Sequence, residues 1–239
     1  MVIPALGPGK VQLRLISLPG AVERLARLRE YLSTEELQRG NRLLDRERHD
    51  RFLAGRAILR EILAGYLGEE PGSIRLSEGE FGKPHLSDHL DADSITFNLS
   101  HAGDLLLVAV AAGSEVGVDL EQVRLDLADL PYRTMAERYF SPREQEDLFS
   151  LPASEQIDAF YRCWTRKEAY LKGTGTGFSQ PSNGFDMALL PDQPAALLAH
   201  RGAPAEVGKW SISDIQVPQG YCAAVAVEDA GEIKVSFLE

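Results

Sequence analysis

Hydrophobic and polar positions along the chain fall into two successive blocks with the same grammar: helical periodicity first, short strand-like runs after it. The first block opens with an apolar alternation over 11–17 that predicts a strand. A long helical region follows. Ser33 and Glu36 have the spacing of a capping box, and an apolar period continues through Phe52, Leu53, Ile58, Leu59, Ile62 and Leu63. Pro71 and Gly72 break that pattern. Strands are predicted over 73–76, 94–99, 105–111 and 115–120. The second block predicts helices over 127–139, 142–149 and 154–172, with Ser141 as N-cap and Glu144 closing a second capping box. Strands are then predicted over 185–190, 195–200, 209–217, 221–227 and 233–238. Helices followed by strands, twice over, predict an α+β protein of two halves, 1–115 and 116–239.

Composition changes this picture only by exclusion. The chain has 239 residues, 44% hydrophobic and 26% charged, an ordinary globular balance. No run approaches the roughly 20 apolar residues that span a bilayer, so no membrane association is expected. The start, MVIPALGPGK, lacks a charged segment ahead of an apolar core, which argues against a cleaved signal. Cys163 and Cys222 form neither a disulfide framework nor a zinc framework, and a reducing cytoplasm fits them. A net charge of −11 speaks against nucleic-acid partners, although arginines interleaved with acids are dense between Arg24 and Arg60.

Four short stretches carry candidate chemistry, and each alone has an ordinary structural reading. In VGVDLE, residues 116–121, Asp119 and Glu121 project from the same face of a strand end, a donor pair suited to Mg²⁺. Asn98, Ser100 and His101 in NLSHAGD combine turn chemistry with groups able to hold a phosphate or ribose. FGKPHL, residues 81–86, sets Lys83 in a turn fixed by Gly82 and Pro84, which suits a phosphate or a simple exposed loop. In WTRKEAYLKGTGTG, residues 164–177, Trp164, Glu168 and Lys172 rise along nearly one helical face, and Gly173 is placed to cap the helix. Glu168 is the odd residue there, a carboxylate in an apolar stripe near a helix C-terminus that disfavours negative charge. The glycines after it follow a helix, so they do not have the strand-to-helix context of a nucleotide-binding loop. HLSDHLDAD, 85–93, reads as a polar loop rather than a metal site, and Cys163 as a packed thiol.

Taken in order, FGKPHL, FNLSHA, VGVDLE and WTRKEAYLK resemble the motif series of the 4′-phosphopantetheinyl transferases, in the larger pseudo-dimeric type typified by the surfactin synthetase activator. RFLAGRAILR at 51–60 and FSPREQ at 140–145 are also similar to stretches of that family, while the last sixty or so residues match only in strand-rich character. The Lys-Glu-Ala pattern resembles the subgroup serving secondary-metabolite and broad-range carriers. The resemblance implies two pseudo-symmetric halves with the active site between them. It implies Asp119, Glu121 and Glu168 as ligands of Mg²⁺ and coenzyme A as co-substrate. An apo acyl or peptidyl carrier protein would accept the 4′-phosphopantetheine arm on a serine, with 3′,5′-ADP as leaving product. By the same analogy Glu168, or a water that it positions, takes the serine proton, and Lys172 meets the leaving phosphate. Ser100 and His101 would hold coenzyme A phosphates, with Lys83, Arg39 and Arg51 toward its 3′-phosphate and adenine end. Two fused halves make a monomer the expected state. A Mg²⁺-dependent phosphohydrolase acting on coenzyme A and a non-catalytic carrier-binding protein are the competing classes. The first would need no carrier, and the second would need no metal-binding acids.

Overall fold

The computed structural model describes residues 6–7, 9–87, 95–124, 132–231 and 233–238. Most of the polar loop at 85–93 and the first part of the helix expected over 127–139 lie outside them. The first half runs β1 (Lys10–Ser17), α1 (Leu18–Glu23), α2 (Leu25–Leu28), α3 (Thr34–Asn41) and α4 (Arg46–Leu67). Next come a small hairpin, β2 (Leu76–Glu78) with β3 (Pro84–Leu86), then β4 (Ile95–Ala102), β5 (Leu105–Ala112) and β6 (Val116–Gln122). The second half continues with α5 (Tyr132–Tyr139), α6 (Pro142–Ser150) and α7 (Ala153–Thr174). The strands β7 (Phe185–Met187), β8 (Leu197–His200), β9 (Ser211–Asp214), β10 (Tyr221–Val227) and β11 (Lys234–Phe237) complete it. Both predicted capping boxes form: Ser33 with Glu36 starts α3, and Ser141 with Glu144 starts α6.

The layers follow from period-two burial in the strands. One sheet has the order β11-β1-β5-β4 and the other β6-β10-β9. Val11, Leu13, Leu107, Ala109 and Ala111 of the first pack against Val116, Val118, Leu120, Ala223, Val225 and Val227 of the second. The opposite face of the first sheet, with Phe97, Leu106, Val108 and Val110, packs on α4 through Leu53, Ile58 and Ile62. The opposite face of the second, with Ile212, Ala224 and Ala226, belongs to the core that contains α7. The result is an α+β protein with two sheets back to back and a helical layer on each outer face.

Three details differ from the sequence expectation. β11 pairs in parallel with β1, Lys10 opposite Lys234, so the final strand returns to the sheet of the first half. Ser73 belongs to a 3₁₀ turn, Pro71–Ser73, and the strand starts only at Leu76. The residue that ends α7 is Gly175, left-handed at φ 68°, and not Gly173.

Gly173 lies inside the helix for a different reason: α7 passes directly over β6 there. A Cβ on Gly117 would stand 2.1 Å from the Ala169 carbonyl oxygen and 2.2 Å from the Gly173 nitrogen. A Cβ on Gly173 would stand 2.5 Å from the Trp210 ring. Neither glycine has a positive φ, so space alone imposes the choice. Gly117→Ala drives a methyl into backbone that cannot step aside, and overpacking of this kind costs about 1–3 kcal/mol or more. Its melting temperature is expected to fall by roughly 5 °C or more, whereas Gly184→Ala, with nothing within 4 Å of its added methyl, stays near wild type. Equal melting of the two variants would contradict the close crossing.

Candidate active site

The crossing of α7 over β6 assembles the site. Along β6 the even residues enter the inter-sheet core, which leaves Gly117, Asp119 and Glu121 facing α7. From α7, Trp164, Glu168 and Lys172 are half-buried, while most of the other residues from 159 to 173 are buried. The Lys172 Nζ lies 2.6 Å from Asp119 Oδ1 and donates to Ser100 Oγ at 2.9 Å. The Ser100 hydroxyl in turn donates to the same Asp119 oxygen at 3.0 Å. The indole N–H of Trp164 donates to Glu121 Oε1 at 3.1 Å, and the Trp164 ring stacks on Phe160.

Strand β4 stitches the two sheets together beside this cluster. Its even residues face β6. Thr96 Oγ1 donates to the Ser114 carbonyl, and Asn98 Oδ1 accepts from the Val118 N–H at 3.0 Å. Ser100 then reaches Asp119. Among the described residues β6 is the edge of its sheet, so the Asn98 side chain satisfies a backbone donor that no described strand pairs. Asn98 and Ser100 therefore do more than form a turn.

Charge at the site is unbalanced. Burial pushes Glu168 up to about 7, and Asp119 and then Glu121 add to the rise against the opposing pull of Lys172. Burial, then Asp119, also raises Glu121, while the Trp164 hydrogen bond and Lys172 work against the shift. Asp119 is buried, and its Oδ2 has no hydrogen-bond partner among the described residues. Among the described residues no three or more His, Cys, Asp or Glu side chains are drawn together as a ready-made metal cage. Lys172 supplies the cation that reaches Asp119. An orphaned carboxylate oxygen and an excess of hard oxygen donors fit a small divalent cation that keeps part of its water shell.

The other expected residues divide by location. His101 is the last but one residue of β4, exposed at the surface, and desolvation, then Lys172 and Arg51, lowers its pKa. Arg51 donates to the Gly103 carbonyl at 2.6 Å and to Asp104 at 2.5 Å, which holds the turn after His101. A cleft of about 380 Å³ opens between that turn and the helices, lined by His101, Glu121, Arg124, Met135, Phe160 and Trp164 among others. Lys83 sits in the β2–β3 hairpin and donates to the Gly173 carbonyl at 2.7 Å, one residue beyond Lys172. It also pairs with Glu115 at 2.5 Å. Arg39 is not brought to the acids: it pairs with Glu78 at 2.5 Å and lies over the Phe52 ring in a separate groove with Arg42, Arg56 and Arg60.

Sequence reasoning missed the groups that fix the orientation of α7. Lys167, 1% exposed, is held 2.7 Å from both oxygens of Glu144 and donates to the Phe185 carbonyl. Arg166 forms a two-point contact with Asp214 at 2.7 and 2.6 Å. The available signal was the helix itself: 166 and 167 lie on turns whose other faces are also apolar, so neither charge has a clear route to water. Cys163 is buried with its pKa raised, the packed thiol expected of it.

Two family models divide the chain between them. One described as 4′-phosphopantetheinyl transferase, N-terminal, matches residues 21–114, and one described as the 4′-phosphopantetheinyl transferase superfamily matches residues 115–226. The 4′-phosphopantetheinyl transferase HetI of Nostoc sp. is 43% identical over 223 residues, 93% of this chain and 89% of its own. From Bacillus subtilis, the 4′-phosphopantetheinyl transferase ffp is 33% identical and the 4′-phosphopantetheinyl transferase Sfp 29% identical, each with 87% of both chains covered. With both halves matched and such relatives spanned along most of their length, the chain belongs to the 4′-phosphopantetheinyl transferase superfamily, in its larger, Sfp-like form.

Proposed function

We propose that this chain moves the 4′-phosphopantetheine arm of coenzyme A to a serine of an apo acyl or peptidyl carrier protein and releases 3′,5′-ADP. The observation that carries the reading is the cluster on facing elements: Asp119, whose Oδ2 has no partner among the described residues, Glu121, Glu168, and Lys172 beside Asp119. Asp119, Glu121 and Glu168 would hold Mg²⁺, which when bound neutralises charge on pyrophosphate oxygens.

The chain's own groups account for the rest. A bond forms from the carrier serine oxygen to the β-phosphorus, and the bridging bond toward the α-phosphate breaks. Glu168, whose burial favours the protonated form, takes the serine proton. Lys172, fixed by Asp119 and Ser100, offers its ammonium to the departing phosphate. Ser100 and His101, with Arg51 steadying the turn, hold coenzyme A phosphates, and Lys83 reads the 3′-phosphate. Arg39, paired with Glu78 in the separate groove it shares with Arg42, Arg56 and Arg60, is not assigned a coenzyme A contact.

Incubation with coenzyme A, Mg²⁺ and a panel of apo carriers tests the reading. Carrier molecules should gain the mass of phosphopantetheine. Consumption of coenzyme A without any carrier would point to a phosphohydrolase, and carrier binding without mass gain would point to a binding protein.

The charge imbalance predicts a pH-dependent stability in metal-free buffer. The folded pKa of Glu168, about 7, lies above its ordinary value of 4.5, so the folded state holds the proton more tightly than the unfolded one. Stability from this group is present below the ordinary value and lost as pH rises through the folded one. Glu168→Gln should therefore melt like wild type near pH 4.5, and roughly 5 °C above it near pH 8, while losing transfer activity. A variant that melts lower at pH 8 and stays active assigns Glu168 to the scaffold.

Lys83→Ala should lose most of the preference for coenzyme A over 3′-dephospho-coenzyme A. A hydrogen bond to a charged group contributes about 1.5–3 kcal/mol, or roughly ten- to a hundred-fold in Kd. Unchanged discrimination in a binding titration would remove the 3′-phosphate from Lys83.

A further inference from the structure

We infer that Glu115 is an exchangeable counter-ion for Lys83 and sets how strongly the site discriminates for a phosphate on the nucleotide ribose. The inference rests on the reading of Lys83 as the 3′-phosphate contact. It starts from an asymmetry between two charged groups that meet at 2.5 Å: the Lys83 side chain is 17% exposed and that of Glu115 48%.

The ammonium is the fixed partner. Its second contact, at 2.7 Å, is the Gly173 carbonyl in the last turn of α7, where the helix dipole favours a cation. An ammonium has three donors, so these two contacts leave a third. Lys83, Glu115, Thr174 and Gly175 border one cleft of about 480 Å³, in which Lys83 supplies the ammonium and His85 an imidazole. A ligand entering this cleft therefore meets an immobile cation already neutralised by a carboxylate.

The carboxylate is the movable partner. The Glu115 backbone is held on both sides: the Glu228 N–H donates to its carbonyl at 2.9 Å, and Thr96 Oγ1 donates to the carbonyl of the preceding Ser114. The half-exposed side chain thus leaves Lys83 by rotation alone, with no change in the strand. A phosphomonoester dianion outcompetes a single carboxylate for the ammonium, whereas a ribose hydroxyl does not. Coenzyme A must displace Glu115. Its 3′-dephospho analogue leaves Glu115 in place.

The test is calorimetric titration of the full chain with coenzyme A and with 3′-dephospho-coenzyme A, both with Mg²⁺, so that no carrier is needed. A partly exposed ion pair contributes up to about 1 kcal/mol, so Glu115→Gln should tighten coenzyme A by roughly three-fold and raise the Kd ratio of the dephospho analogue to coenzyme A by the same factor. In a Lys83→Ala background the same substitution should leave that ratio where Lys83→Ala alone put it. Weaker coenzyme A binding in Glu115→Gln, an unchanged ratio, or an equal effect without Lys83 would overturn the inference. If Lys83→Ala alone keeps wild-type discrimination, the reading of Lys83 fails and this inference falls with it. If Lys83→Ala loses discrimination but Glu115→Gln does not move it, only the role of Glu115 fails.

Discussion

No side chain separates α7 from β6 where they cross, and the active site depends on that contact. Gly117 and Gly173 let backbone meet backbone. With the helix at that distance, Lys172 reaches Asp119 and Ser100, and the Trp164 indole reaches Glu121. Distance alone would not fix the helix's rotation. Lys167 on Glu144 and Arg166 on Asp214 do so, because a charge buried at either position needs its partner. The residues that aim the site are thus neighbours in sequence of those that form it, turned toward other faces of the same helix.

The same geometry creates an electrostatic strain that the chain leaves partly unresolved. Desolvation and mutual repulsion raise Glu121 and Glu168, and one oxygen of Asp119 is buried without a partner among the described residues. Lys172 offsets part of this but is committed to Asp119 and Ser100. A core built only for stability would have used apolar side chains here. The imbalance makes physical sense where a divalent cation and a pyrophosphate arrive together, each compensating charge on the other.

Local signals were legible and long-range ones were not. The capping boxes at Ser33 and Ser141 and the rise of Trp164, Glu168 and Lys172 along one face depend on residues within a few positions, and the structure shows them as read. The same-face pair Asp119 and Glu121 follows from strand periodicity. Gly173 was misread because a glycine after a lysine at the end of an apolar period satisfies the capping rule. Its actual reasons, Trp210 and Gly117, lie far away in the chain. Lys83 lies in the turn read for it, but its partners Glu115 and Gly173 are 32 and 90 positions distant and no local pattern names them. The parallel pairing of β11 with β1 joins the chain's two ends, and no local pattern announces it.

The central claim is that Asp119 and Glu121 on β6 and Glu168 on α7 would hold a divalent cation. Titration of Mn²⁺ into the metal-free protein near neutral pH, with free ion followed by electron paramagnetic resonance, tests it without reference to activity. The account predicts saturable binding of one ion per wild-type chain and its loss in Asp119→Ala, with circular dichroism showing the variant folded. No saturable site in the wild type, or an unchanged site in Asp119→Ala, would contradict it.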